Sequence, residues 1–123
     1  MSRIFVVTND EADLTVMLGV LARAGYSVAG ATTFEEAQRL LATQSPEIVI
    51  ADERLGAFNG LHVLITARAD HPYADLIVTT PKRNRFLEQD ARSLNVHCIV
   101  KPRNVDEWVA TIDELLEPAV CVA

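Results

Sequence analysis

Cysteine is scarce in this chain. Its two cysteines, Cys98 and Cys121, match no metal-ligand spacing and no disulfide framework, so both are expected as reduced thiols. Long apolar runs are missing as well. No stretch reaches the roughly 18 apolar residues of a membrane helix, and the N-terminus lacks the layout of a signal peptide. A cytoplasmic location without membrane contact is the expectation. Positive charge is in short supply. Eleven Lys and Arg against 17 Asp and Glu leave a net charge of −6, and no basic face forms, which argues against nucleic-acid binding by this domain. There are no internal repeats, linkers or low-complexity segments. A single domain, residues 1–123, is therefore expected, and Ala119 to Ala123 are too few to add another. Half of the residues are hydrophobic, enough to bury a core without staples.

What is present is a regular alternation. Ile4 to Val7 is an apolar run followed by the polar Thr8-Asn9-Asp10-Glu11. Asp10 can cap a helix that carries Leu14, Met17, Leu18 and Leu21 at helical spacing and stops at Gly25. Tyr26 to Gly30 is a second, less apolar strand, as an edge strand would be. Thr33 and Glu36 form a capping box ahead of Ala37, Leu40 and Leu41. After Ser45-Pro46 comes Ile48 to Ala51, which ends on Asp52. A loop with Gly56 and Gly60 leads to a helix from about Gly60 to Ala69, with Leu61, Leu64 and Ile65 inward. Leu76 to Thr80 is a fourth strand, stopped by Pro81. A helix near Asn84 to Ser93 has only Phe86, Leu87 and Ala91 as anchors. Val96 to Val100 and Lys101-Pro102 close the fifth strand, and Asn104 caps a last helix carrying Trp108, Ile112, Leu115 and Leu116.

Five such units predict an α/β fold with a parallel sheet and helices on both faces. The strand order 2-1-3-4-5 fits best, with right-handed crossovers. Ligands of such sheets bind beyond the carboxyl ends of the strands. Asp52, Thr80 and Lys101 all stand at such ends. A carboxylate flanked by a hydroxyl and an ammonium suits phosphoryl transfer, with the carboxylate as nucleophile and the other two as donors to phosphoryl oxygens. Thr79 takes the place of Thr80 if the strand is offset by one residue; the longer apolar run favours Thr80. Singly, Asp52 reads as a loop or capping aspartate, Lys101 as its ion-pair partner and Thr80 as a strand former. Lys82-Arg83-Asn84-Arg85 beside them reads first as a solvated face. Cations at a helix start oppose the helix dipole, so a negative partner such as a phosphoryl group, an acidic surface or Glu53 is also expected there.

The string from Pro46 to Leu61, P-E-I-V-I-A-D-E-R-L-G-A-F-N-G-L, resembles the phosphoacceptor segment of response-regulator receiver domains, and the resemblance extends over the whole chain. It implies the flavodoxin-like receiver fold, and a signalling module rather than an enzyme with a separate substrate. Asp52 would be phosphorylated by a histidine kinase or histidine phosphotransfer protein, with Thr80 and Lys101 assisting. A changed surface would then signal to a downstream protein partner. The resemblance further implies a Mg²⁺ site at Asp52, Asn9, Asp10 and the backbone carbonyl of Arg54, and a cis bond before Pro102. Several positions depart from the family pattern. Leu55-Gly56-Ala57 replaces Met-Pro-Gly. The two acids expected after the first strand are Thr8 and Asn9, so Mg²⁺ binding should be weak or absent. Pro81 stands where a backbone N–H is expected to meet the phosphoryl group, and Cys98 replaces a switching aromatic. These departures support an alternative, a degenerate receiver that binds proteins without phosphorylation. A flavin or nucleotide binder of the same architecture would need a Gly- or hydroxyl-rich loop after strand 1, which Thr8 to Glu11 does not supply.

Overall fold

Five short apolar segments become the strands β1 (Arg3–Val7), β2 (Ser27–Ala31), β3 (Ile48–Asp52), β4 (Asp75–Thr80) and β5 (His97–Val100). The computed structural model describes residues 3–101 and 105–116, with side chains at all of these except 105, 106, 115 and 116. The strands pair in parallel in the order β2-β1-β3-β4-β5, as expected. Helices α1 (Glu11–Arg23), α2 (Phe34–Thr43), α3 (Gly60–Asp70), α4 (Arg85–Ser93) and α5 (Val105–Leu116) connect or follow them. Pro102, Asn104 and Cys121 lie outside the described residues, and so do the expected cis bond, the Asn104 cap and the side chains of Leu115 and Leu116.

Side chains alternate across the sheet, so each strand supplies two cores. Phe5, Val7, Val49, Ala51, Leu76 and Val78 pack with Leu41, Leu64 and Leu87 of α2, α3 and α4. Ile4, Val6, Ile48, Ile50 and Ile77 pack with Met17 and Leu21 of α1 and with Trp108 and Ile112 of α5. Burying a side chain of this size stabilises the fold by about 1.5–3 kcal/mol. Two apolar expectations fail. Ile65 is half exposed and Phe86 is 80% exposed. The buried stripe of α3 runs through Gly60, Val63, Leu64 and Ala67, and that of α4 through Leu87 and Ala91, which turns their sequence neighbours outward.

The helix starts are held by their own side chains. Asp10 accepts from the Asp13 backbone at 3.0 Å and Thr33 from the Glu36 backbone at 3.1 Å. Glu36 reaches back to the N–H of Thr32 rather than to that of the cap itself. Asn84 accepts from both Phe86 and Leu87 at the start of α4. At the other end of α4, Arg68 of α3 donates to the carbonyls of Leu94 and Asn95 at 3.2 and 3.0 Å. A cation there meets the negative end of the α4 dipole.

The segment after Asp52 is more ordered than the loop expected from its glycines. Arg54–Leu55 and Phe58–Asn59 form a short antiparallel ribbon, turned at Gly56 with φ +66°. The Phe58 ring stacks on Phe34 of α2 at 4.8 Å between centroids. The ribbon delivers Gly60, the first residue of α3, against the backbone of Asp52. A Cβ on Gly60 would lie 1.9 Å from the Asp52 carbonyl oxygen, so this glycine is required by close approach.

That contact gives a paired prediction. Gly19, inside α1, has no atom within 4 Å of an added Cβ. Gly19→Ala should stabilise by about 1 kcal/mol through helix propensity. Gly60→Ala should instead destabilise by about 2–3 kcal/mol through the clash, a fall of about 10 °C in Tm. Thermal melts followed by circular dichroism compare the two; a Gly60→Ala melt at or above wild type would refute the close approach.

Candidate functional site

The site follows from the same alternation that builds the cores. Thr8 continues the face of Ile4 and Val6, Asp52 that of Ile48 and Ile50, Thr79 that of Ile77, and Lys101 that of Ile99. All four therefore emerge on the α1/α5 face, at the carboxyl ends of four adjacent strands. Asp52 pairs with Thr79 across the β3–β4 ladder.

Both carboxylate oxygens of Asp52 are engaged. Thr79 Oγ1 donates to Oδ1 at 2.5 Å. Thr8 Oγ1 donates to Oδ2 at 2.5 Å, and Lys101 Nζ donates to the same oxygen at 3.0 Å. The Asp52 side chain is 16% exposed. It lies at the edge of an open groove of about 810 Å³ bounded by Asn9, Asp10, Pro81, Lys82, Arg85 and Lys101, among others. A partly buried carboxylate needs such donors, since leaving it unpaired would be costly. Lys101 also donates to Asp13 of α1 at 3.2 Å.

The hydroxyl beside Asp52 is thus that of Thr79, not the expected Thr80. Thr80 falls on the opposite sheet face by parity, and its Oγ1 donates to the Lys82 carbonyl at 2.8 Å, shaping the turn. The shift also removes one departure. The residue after the contacting threonine is Thr80, which carries a backbone N–H, and Pro81 lies one position further on. Sequence reasoning did not find the hydrogen bond from Thr8 or the Asp13–Lys101 ion pair. Counting by two along each strand from its isoleucines was the available signal for Thr8 and Thr79.

The expected metal ligands do not assemble into a magnesium cage. Thr8 is a buried hydroxyl bound to Asp52, and Asn9 is neutral. Asp10 is turned onto the helix start as its cap. Arg54 lies in the ribbon beside the groove. Among the described residues no three His, Cys, Asp or Glu side chains cluster to hold a metal. Asp52 already has three donors, whereas Mg²⁺ binds through carboxylate oxygens in near-ideal octahedral geometry. Cys98 lies half-buried on the opposite sheet face. Burial, and then the charges of Glu88 and Glu53, push its thiol pKa upward, so it stays protonated and unreactive at neutral pH.

Burial alone would lower the Lys101 pKa. The hydrogen bonds and charges of Asp52 and Asp13 outweigh it, so the net shift is upward from 10.5. Its contribution to stability is therefore fully present below pH 10.5 and is lost as pH rises through the higher folded value. Tyr26, which bonds Asp113 of α5, is pushed up to about 12 by burial and by that carboxylate, and it acts in the same direction. Urea unfolding in Tyr26→Phe should still show a loss of stability above about pH 10.5, and a further Lys101→Met change should flatten it. A slope unaltered by the second change would mean that the Asp52–Lys101–Asp13 contacts do not stabilise the fold.

Comparisons with known proteins bear on the family and the fold. The chain matches the family described as "Response regulator receiver domain" over residues 4–113. It is 33% identical over 106 residues to the alginate biosynthesis transcriptional regulatory protein AlgB of Pseudomonas aeruginosa, which covers 85% of this chain and 24% of AlgB. The chain therefore spans about a quarter of the length of that relative. Among solved structures, a CheY-like receiver domain protein from Methanospirillum hungatei superposes with a TM-score of 0.86 at 23% identity, covering 94% of this chain and 93% of the other. The response regulator TrrA of Thermotoga maritima, solved in complex with Mg²⁺-BeF, gives a TM-score of 0.81 at 26% identity, over 94% of this chain and all of that one. Among the described residues no helix is long and apolar enough to cross a membrane. The fold, the carboxylate with its hydroxyl and ammonium neighbours, and the match over residues 4–113 place this chain in the response regulator receiver domain family of two-component signalling.

Proposed function

We propose that residues 1–123 form one cytoplasmic receiver module that accepts a phosphoryl group on Asp52. The donor is a histidine kinase or a histidine phosphotransfer protein. The output is a changed surface for a downstream protein partner, with no separate substrate and, given the net charge of −6, no nucleic-acid contact by this domain. The observation that carries the reading is Asp52 held between Thr79 Oγ1 and Lys101 Nζ at 2.5 and 3.0 Å, lining an open groove. The carboxylate is the nucleophile. Thr79 and Lys101, which now donate to it, can donate to the incoming phosphoryl oxygens. The aromatic switch route is closed, because Cys98 has no ring to move.

A second reading has its own observation. The Thr8 hydroxyl occupies Asp52 Oδ2 where two acids and a metal are expected, and this favours a receiver that binds partners without phosphorylation. The readings separate by intact-mass analysis after incubation with acetyl phosphate, or with beryllofluoride, and Mg²⁺. One added group that disappears in Asp52→Asn supports the phosphoacceptor. Thr79→Ala should slow its formation by about 100-fold or more, the order expected for a lost transition-state donor, while Thr80→Ala leaves it near wild type. No adduct with any donor at high Mg²⁺ would favour the second reading.

With Thr8 and Asn9 neutral, Mg²⁺ should bind in the millimolar range or weaker. At a concentration equal to Kd a ligand adds only about 0.4 kcal/mol. Low-millimolar Mg²⁺ should therefore raise the melting midpoint by no more than about 2–3 °C. Asn9→Asp should lower the metal-free midpoint and make it Mg²⁺-sensitive. A wild-type rise of about 8 °C or more in that range would show a carboxylate cage after all.

A further inference from the structure

The groove over Asp52 is unusual in its charge. Among the described residues, five cationic side chains line it: Arg54, Lys82, Arg83, Arg85 and Lys101. Four carboxylates do so, Asp10, Asp13, Asp52 and Glu53. A chain of net charge −6 thus carries a local excess of positive charge at the one place where its strands expose a nucleophile.

The carboxylates in the groove are largely committed. Asp10 caps α1, Asp13 pairs with Lys101, and Asp52 holds three donors. The cations are less so. Arg83 pairs with Glu88 at 3.2 Å. Among the described residues, Arg54, Lys82 and Arg85 have no carboxylate within ion-pair distance. Lys82 and Arg83 precede α4 and Arg85 opens it, where positive charge opposes the helix dipole. Asn84 already satisfies the backbone there. Lys82 and Arg85 therefore do nothing for the helix, and an anion in the groove would offset the repulsion among these cations.

We propose that Lys82 and Arg85, with Lys101, hold the phosphoryl anion of the donor over Asp52 and supply the positive charge that the missing carboxylate pair leaves this domain unable to recruit as Mg²⁺. The inference rests on Asp52 being the phosphoacceptor. In the step, an Asp52 carboxylate oxygen forms a bond to phosphorus while the bond from phosphorus to the leaving group breaks, and the leaving group takes the electron pair. An acyl phosphate releases its carboxylate anion. A P–N donor releases its nitrogen as a neutral amine or imidazole, protonated from water where needed. The ligand chemistry is the phosphoryl dianion, which small acyl phosphates and phosphohistidine share.

The test is a time course of intact mass with acetyl phosphate or with phosphoramidate, whose P–N bond stands for phosphohistidine. Each is run with Mg²⁺ and with EDTA in its place. The expected result is an adduct on wild type under both conditions with at least one donor, and whichever donor reacts identifies the source chemistry. Lys82→Gln/Arg85→Gln should slow the EDTA reaction by about tenfold or more, the order for a lost electrostatic contact in the transition state. Added NaCl should slow wild type toward the double variant, because exposed charges are screened. Arg39→Gln, on α2 away from the groove, should follow wild type. Circular dichroism checks that each variant is folded. An adduct that requires Mg²⁺, or a double variant that reacts at the wild-type rate in EDTA, overturns the proposal and leaves Asp52 as phosphoacceptor. No adduct under any condition overturns both.

Discussion

The Asp52 carboxylate and its three donors are the constraint on which the site depends. A carboxylate at the end of a buried strand has lost most of its water and must be compensated by hydrogen bonds and charge. The fold supplies both from strands that are distant in sequence. Thr8 comes from β1, Thr79 from β4 and Lys101 from the end of β5, and each meets an Asp52 oxygen at 2.5–3.0 Å. Removing one donor would leave the others closer to a charge they cannot fully satisfy, so these contacts act as a unit rather than as separate bonds.

The backbone around this cluster is held just as closely. Gly60 brings the start of α3 onto the Asp52 carbonyl, and its N–H bonds the Glu53 carbonyl at 2.8 Å. The ribbon at Gly56 and the stacked Phe34 and Phe58 rings hold the intervening loop. Asp52 is therefore held by close backbone contacts and packed rings, which is what positional chemistry requires. The more adaptable part of the groove is its cationic side. There Lys82 and Arg85 are solvent-facing, and Phe86 beside them is 80% exposed.

Charge distinguishes this domain from the pattern its family membership leads one to expect. Where clustered acids would repel one another and be relieved by a metal, Thr8 and Asn9 put no second acid against Asp52. It is neutralised locally by Lys101, which Asp13 in turn holds from α1. The result is a site with little internal repulsion and a net cationic mouth.

Much of this was legible in the sequence. Alternating apolar runs and amphipathic stretches determine the five βα units, and the order β2-β1-β3-β4-β5 follows from burial and crossover handedness. Asp52 and Lys101 were legible because each ends an apolar run abruptly. Thr80 was misplaced because a run of strand residues shows where a strand is and not which way its last side chain points. A one-residue offset turns a hydroxyl to the other face, and only pairing across the ladder, Asp52 opposite Thr79, decides it. Ile65 and Phe86 turned outward for a similar reason, since a helix's buried stripe is set by what it packs against. Asp13 reaching Lys101 is a contact between residues 88 positions apart, and no local pattern encodes it. Composition and periodicity thus determined the architecture and put Asp52 at the carboxyl end of a buried strand. The tertiary structure alone decided which hydroxyls face it, because hydrogen bonding depends on side-chain direction and distance that only the packed sheet defines.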